Sequence, residues 1–352
     1  MDFGLFCLMN QRSSTQTVID MLSQTSEQVQ AAEMAGFKTA WFAEHHFSNY
    51  SLTPSPLMMV AHMAAQTSKI QLATGVLVLP LYHPARLLGE IGMADQMAQG
   101  RLVLGIGSGY QPFEFDRFGL NLEEAKDRTL EMLEILEAGL TETEVSFDGQ
   151  YISQANTQIN VRPVENRMPE VWVAGGHPDL LLKAARKNYT PIITGRLFGP
   201  EFLVAQKEYC SQFWTQSGHS PTKMNFSTLG AAHICETKAE ARDFAENLRF
   251  QARLAFQLRH RTEVLENGML VESPLENELS LDEIVDNLIV GDAETCAEKC
   301  VEVIKKVNPK HMALYFTIGS VTHDRAMHSI ETFGSEVIPA IEKEVGSLAL
   351  LN

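Results

Sequence analysis

Trp41-Phe42-Ala43-Glu44-His45-His46-Phe47 is an apolar run that ends in one carboxylate and two imidazoles. The residues before the histidines read as a short buried strand, Lys38 to Ala43, entered from a helix that closes at Gly36. Titratable groups at the junction of a buried strand and its loop are where many enzymes keep their chemistry. Neighbours on an extended chain point to opposite faces, so one imidazole faces a cavity and the other is packed or solvated. The same geometry disfavours a metal held by the pair. The helical His-x-x-x-His spacing that chelates zinc is absent, and no metal site is expected.

Glycine marks three further strand ends. Gly105-Ile106-Gly107-Ser108-Gly109-Tyr110 follows one strand, Gly175-Gly176-His177 another, and Thr194-Gly195-Arg196 a third. Bare backbone lets a ligand approach closely. Gly105-x-Gly107-x-Gly109 lacks dinucleotide-fingerprint spacing, and Pro112 interrupts the segment after it, so a flat ligand lying against backbone fits better than a Rossmann turn. Gly175-Gly176 precedes Pro178-Asp179 and an apolar helix whose first N–H groups would suit a phosphate. Glu44, Glu114 and Asp116 show no glycosidase spacing and read as solvated carboxylates. No nucleophile elbow or Walker motif appears.

These ends need a scaffold. Strands are expected at Phe3–Met9, Thr39–Ala43, Ile70–Thr74, Leu102–Ile106, Val171–Ala174, Pro191–Thr194, Leu229–Cys235 and Met312–Thr317. Helix signals lie between most of them: Ser55-Pro56 starts one helix, and Pro84 starts another that Gly100 ends. Ala326, Ile330, Phe333, Val337 and Ile341 mark the buried stripe of the last. Eight such units read as a single α/β domain over residues 1–352, a (β/α)8 TIM barrel, ahead of an open doubly wound sheet. Residues 142–167 look like an inserted hairpin and loop. Residues 261–281, polar and aperiodic after the seventh strand, read as a mobile lid.

The chain has 352 residues, 45% of them hydrophobic, and a formal charge of −16. That charge disfavours nucleic acid and anionic membranes as partners. Without a signal-peptide pattern or membrane-length apolar run, and with five cysteines lacking Cys-x-x-Cys spacing, it reads as a reduced, cytoplasmic protein. Cys296 and Cys300 read as two buried small hydrophobes on one helical face.

The residues also resemble a family, the bacterial luciferase-like flavin monooxygenases. The matching segments are Gly36-Phe37, Trp41 to Phe47, Thr74-Gly75-Val76-Leu77-Val78-Leu79-Pro80 and His83-Pro84-Ala85-Arg86. Asp95-Gln96-Met97, Gly100-Arg101-Leu102, Gly105-Ile106-Gly107 and Phe333-Gly334-Ser335-Glu336-Val337-Ile338-Pro339 continue the match, which runs to about residue 345. The resemblance implies a barrel that binds reduced FMN supplied by a separate flavin reductase. Oxygen would add at the flavin C4a to give a peroxyflavin that oxidises a small organic substrate.

His45 matches the family's catalytic histidine, an imidazole suited to acid–base work near neutral pH. Gly75-Val76 matches its cis peptide beneath the flavin. Gly107, Ser108, Tyr110, Ala174, Gly175, Gly176, His177 and Thr194 fall at its cofactor-binding positions. Gly107 stands where the light-emitting α subunit has cysteine, Ser108 where it has a phosphate-binding arginine, and Gly175-Gly176 where it has Glu-Ser. Phosphate is therefore expected mainly on backbone N–H groups, with Ser108, His177 or Arg196 as further contacts. These departures weigh against efficient light emission. A homodimer is implied as well, for which Met58, Met59, His62 and Met63 would supply apolar contact. A deazaflavin-dependent oxidoreductase and a non-catalytic flavin-binding protein are the alternative readings. The substrate class stays open among aldehydes, alkanes, cyclic ketones and sulfur compounds.

Overall fold

The computed structural model describes residues 1–351. Eight short, mostly apolar segments form parallel strands: β1 (Asp2–Cys7), β2 (Thr39–Phe42), β3 (Gln71–Thr74), β4 (Leu102–Gly107), β5 (Glu170–Ala174), β6 (Thr190–Thr194), β7 (Ser227–Ile234) and β8 (His311–Tyr315). Each pairs with the next, and β8 returns to β1 with Leu314 opposite Leu5, so the sheet closes into a TIM barrel. Closure decides against the open sheet. The expected strands differ from the observed ones by one or two residues at most ends. β1 stops at Cys7 rather than Met9, where φ turns to +51° and leaves the extended region.

Side chains alternate across the strands, as a period of two requires. Phe6, Trp41, Ala73, Val103, Trp172 and Ala313 belong to one buried cluster inside the ring. Leu5, Phe42, Leu72, Leu104, Val173 and Leu314 belong to a second, against the helices. Trp41 and Trp172 meet with ring centroids 4.9 Å apart. Below them Trp41 Nε1 donates to His311 Nε2 at 3.0 Å, and His311 Nδ1 faces Asp2. Gly4 makes room for that imidazole, since a Cβ there would lie 2.5 Å from Nε2.

The helices start where cap residues stand. Thr17 caps Val18–Met34, which Gly36 closes at φ +86°, and Ser55 caps Pro56–Ala64. The last helical stretch carries a π-turn at Phe333–Val337. Its five predicted apolar residues are all fully buried. Repeated steps of four drift around an ordinary helix, and the wider turn cancels part of that drift. Residues Glu144–Asp148 and Ser153–Gln158 pair as an antiparallel hairpin outside the barrel.

One expectation needs correction. Met59 and Met63 are buried at 7% and 0% exposure, because they lie on the core face of Pro56–Ala64; of that group's methionines only Met58, at 73%, faces out. His62 Nε2 is engaged by polar neighbours, Ser26 Oγ at 3.0 Å and Gln66 Nε2 at 2.8 Å. The five cysteines are all buried and free.

His233, on β7, is buried, stacked 4.4 Å from the Phe244 ring and paired with Ser329 Oγ at 3.2 Å. Burial lowers its pKa from 6.5 to about 4. The unfolded chain then binds more protons below pH 6.5. This contribution to stability is complete above pH 6.5 and is lost as pH falls towards 4. Thermal unfolding of His233→Gln should show a shallower decline over that window than the parent, and parallel curves would remove the assignment.

Candidate functional site

The functional side chains cluster at the C-terminal strand ends, where barrels of this kind keep their chemistry. β3 and β4 pair at Leu72–Leu102 and Ala73–Val103. Pairing resumes further out through Leu77–Val78 opposite Ile106 and Gly107. Thr74, Gly75 and Val76 lie between, unpaired with β4 although Thr74 still pairs with Phe42 of β2, and the Gly75-Val76 peptide is cis. Two glycines at this step stand where a side chain would meet a neighbour. A Cβ on Gly75 would lie 2.8 Å from Phe6 Cε2, and one on Gly107 would lie 2.9 Å from Val76 Cγ2. Bare backbone at these points leaves a flat surface.

That surface is one wall of a cavity of about 210 Å³. Phe6 and Trp41 form its base, with Ile192, Ile193 and Leu229 beside them. Ala174, Gly175 and Gly176 after β5, and Thr194 and Arg196 after β6, form its mouth. The helix Pro200–Gln216 adds Phe202 and Gln206. Six of the predicted binding residues therefore meet in one place: Gly75, Val76, Ala174, Gly175, Gly176 and Thr194. Gly107 stands behind Val76. Ser108, Tyr110 and His177 do not line the cavity, and His177 Nδ1 instead accepts Asp179 N–H at 3.3 Å as a helix cap.

The two histidines diverge as their spacing demands, and each meets a carboxylate. His45 Nδ1 lies 3.1 Å from Glu114 Oε1, which also accepts the His46 backbone N–H at 2.7 Å. Beside an acceptor-only carboxylate Nδ1 carries a proton, and Nε2 is the ring nitrogen turned away from Glu114. His46 Nε2 lies 3.0 Å from Glu44 Oε1. Glu44 Oε2 accepts Val78 N–H at 3.0 Å and Tyr82 O–H at 2.8 Å. Burial pushes the Glu44 carboxyl above its usual range, opposed by these three bonds. Glu44 and Glu114 are not solvated, contrary to expectation: they are 2% and 1% exposed. Asp116 is exposed and pairs with Arg261.

Sequence reasoning missed what surrounds His45. Its ring packs edge-on to Tyr50 at 4.7 Å and to Tyr110 at 5.9 Å. The Gln111 amide nitrogen donates to Tyr110 Oη at 3.1 Å, and Tyr110 O–H donates to Tyr50 Oη at 3.1 Å. Gln251, from the helix Lys238–His260, donates to the same Tyr50 oxygen at 2.6 Å. Burial raises the pKa of both tyrosines, so they stay protonated. Pro112 does not merely interrupt a glycine pattern. It opens the helix Pro112–Phe118 and sets Glu114 in the first turn, among Phe113 and Phe115. A carboxylate flanked by two aromatics was the available signal.

Residues 261–281 carry a two-stranded turn at Leu265–Glu266 and Met269–Leu270. They are fastened to the barrel by Arg253, which reaches Glu278 Oε1 at 2.6 Å and Glu272 Oε1 at 2.5 Å. Arg12 adds a bond to Glu272, and Asn49 Oδ1 accepts Leu270 N–H at 2.8 Å.

The luciferase-like monooxygenase family model matches residues 1–307. The uncharacterised protein y4vJ of Sinorhizobium fredii is 38% identical over 347 residues, spanning 98% of this chain and 99% of that one. The oxygenase component of a flavin-dependent trigonelline monooxygenase from Acinetobacter baylyi is 32% identical over 181 residues, about half of each chain. In structure, the oxygenating constituent of 3,6-diketocamphane monooxygenase from Pseudomonas putida, solved with FMN, superposes with a TM-score of 0.78 at 22% identity, over 97% of this chain and 98% of that one. The fold, the match of the family model and the full-length relative agree: this chain belongs to the luciferase-like monooxygenases.

Proposed function

We propose that the protein is the oxygenase component of a two-component monooxygenase that takes reduced FMN from a separate reductase and oxidises a small organic substrate with O2. The observation that carries the reading is His45, held through Nδ1 on a buried carboxylate, at the same barrel end as a cavity with a bare-backbone wall. The residues fit the cofactor. A flat ring would lie against Gly75-Val76 over Phe6 and Trp41, and no Cβ at Gly175 or Gly176 narrows the mouth. Pockets for whole ligands run from roughly 300 Å³ upward, so the 210 Å³ cavity would take the ring and the chain would leave through the mouth. FMN, when bound in its reduced form, supplies the electrons that activate oxygen. The protein's own residues bind the ring, orient it and exclude water. His45, at the same barrel end though outside the cavity lining, would accept or return a proton through Nε2, with Glu114 holding the imidazole in one tautomer. Pure binding would need no such base.

Anaerobic titration with reduced FMN, oxidised FMN, NADPH and a reduced deazaflavin tests the cofactor. Aerobic turnover with a flavin reductase and NADH, across aldehydes, alkanes, cyclic ketones and sulfur compounds, tests the chemistry by product mass. Tightest binding of reduced FMN and an oxygenated product are expected. Preference for the deazaflavin would transfer the protein to that class.

Residues 261–281 act as the lid. Closing the site against water protects reactive species, and the Arg253 contacts are the closure. Hydrogen exchange of residues 269–278 should slow on binding reduced flavin and quicken in Arg253→Ala. Exchange unaffected by either change would end the lid reading.

A further inference from the structure

We infer that Asn49-Tyr50 is a positioning pair that links residues 261–281 to His45, so that seating that segment sets the imidazole. The inference rests on the proposed roles of the lid and of His45, and goes beyond them by joining the two. Both residues are buried, Asn49 at 2% and Tyr50 at 4% exposure. Their backbone is tied to the loop after β1. Gln11 N–H donates to Asn49 O at 3.0 Å, and Asn10 Nδ2 donates to Tyr50 O at 3.0 Å. The side chains reach two other places. Asn49 Oδ1 accepts Leu270 N–H of the lid segment at 2.8 Å. The Tyr50 ring packs edge-on to His45 at 4.7 Å, and its hydroxyl oxygen accepts the Gln251 amide N–H at 2.6 Å.

The helix Lys238–His260 closes the circuit. It carries Gln251 and, further along, Gln257, whose Nε2 donates to Val271 O at 2.9 Å. Two struts therefore cross from the dipeptide to this helix. One is direct, from Tyr50 to Gln251. The other runs through the lid segment, from Asn49 to Leu270 and from Val271 to Gln257. Asn49, Leu270 and Gln257 are 2%, 5% and 3% exposed, so the partners in this second strut are poorly replaced by water. Struts in parallel hold one gap, and each is firmer while the other is in place. Losing the lid strut loosens Gln251 on Tyr50 Oη, and the Tyr50 ring then fixes the edge of His45 less well. Linkage makes the effect reciprocal: what the lid does for Tyr50, Tyr50 does for the lid.

The test uses the full chain and Asn49→Ala, Gln257→Ala and Tyr50→Phe. It reads amide exchange at Leu270 and Val271 and the nitrogen resonances of the His45 ring, which His45→Ala identifies by their loss. Tyr50→Phe keeps the ring against His45 and removes only the hydroxyl, which bonds Gln251 and Tyr110 and no lid residue. Exchange at Leu270 and Val271 should nevertheless quicken in this variant by about three- to tenfold, the worth of one neutral hydrogen bond. Asn49→Ala and Gln257→Ala should shift the His45 ring resonances, although neither side chain bonds that ring. Exchange in the outer hairpin of Glu144–Asp148 and Ser153–Gln158 should stay at the parent rate, which excludes general loosening. In aerobic turnover each variant should lower product per reduced flavin, yet add no loss in the His45→Ala background. Quickened lid exchange in Asn49→Ala and Gln257→Ala with unmoved His45 resonances overturns the inference and leaves the lid and the base standing. A further loss of product in the His45→Ala background overturns it too. Full activity of His45→Ala alone overturns the catalytic reading instead, and the exchange rates and ring resonances still decide the link.

Discussion

His45→Ala should lower product formation by roughly 100-fold or more, the usual worth of a positioned acid–base group. The assay is product formed per reduced flavin oxidised, with a substrate found in the turnover screen. Flavin affinity should change little, since His45 does not line the cavity that Gly75, Val76 and Gly175 enclose. His46→Ala should behave differently. Removing that ring takes one of three partners from the Glu44 carboxylate, which is 2% exposed and also binds Val78 N–H. A buried carboxylate stripped of a partner destabilises its surroundings. The loss should therefore appear first in thermal stability and flavin affinity, with a smaller change in the oxygenation yield. If His45→Ala couples flavin oxidation to product as the parent does, the catalytic assignment fails and a flavin-binding role moves ahead.

Gly105→Ala should be the most damaging single methyl in the barrel. Its Cβ would lie 2.0 Å from the Thr74 carbonyl oxygen and 3.0 Å from Trp41 Cζ3. The oxygen belongs to backbone, and Thr74 Oγ1 already bonds Gly105 O at 2.7 Å, so neither side can yield cheaply. Overpacking a core costs about 1–3 kcal/mol and more where backbone must move; a cost of about 3 kcal/mol or above is expected here. Gly89→Ala is the control. Gly89 lies within the helix Pro84–Met97 and has nothing within 4 Å of an added Cβ. There the methyl should stabilise by up to about 1 kcal/mol, through helix propensity. Urea unfolding of both variants measures the contrast. A Gly105→Ala midpoint equal to the parent's would mean that the Thr74 step is not held as described.

The barrel was legible because its information is local. Eight apolar runs separated by helices specify strand number and order, and the helix starts at Ser55-Pro56 and Pro84 stand where expected. The glycine-marked strand ends were legible for the same reason. Long-range pairing was not. Glu114 meets His45 across 69 positions and Gln251 meets Tyr50 across 201, and no spacing rule connects such partners. Met59 and Met63 show a related limit, since an apolar helix suggests contact on either face until the neighbouring strands decide which face is covered. Arg253 sits mid-helix as an ordinary charge until Glu272 and Glu278 return to it.

The adjacent histidines have a consequence for how such a site changes over time. Although His45 and His46 are joined by one peptide bond, their imidazoles rest on separate carboxylates: Glu114 on the helix Pro112–Phe118, and Glu44, which is tied to Val78 and Tyr82. The side-chain supports are modular. An exchange at position 114 would retune the imidazole at 45 while Glu44 keeps its grip beside the wall. An exchange near Tyr82 would reshape the wall while the Glu114 support stays in place. A lineage could therefore explore new substrates and new proton chemistry along nearly independent routes, starting from a single dipeptide.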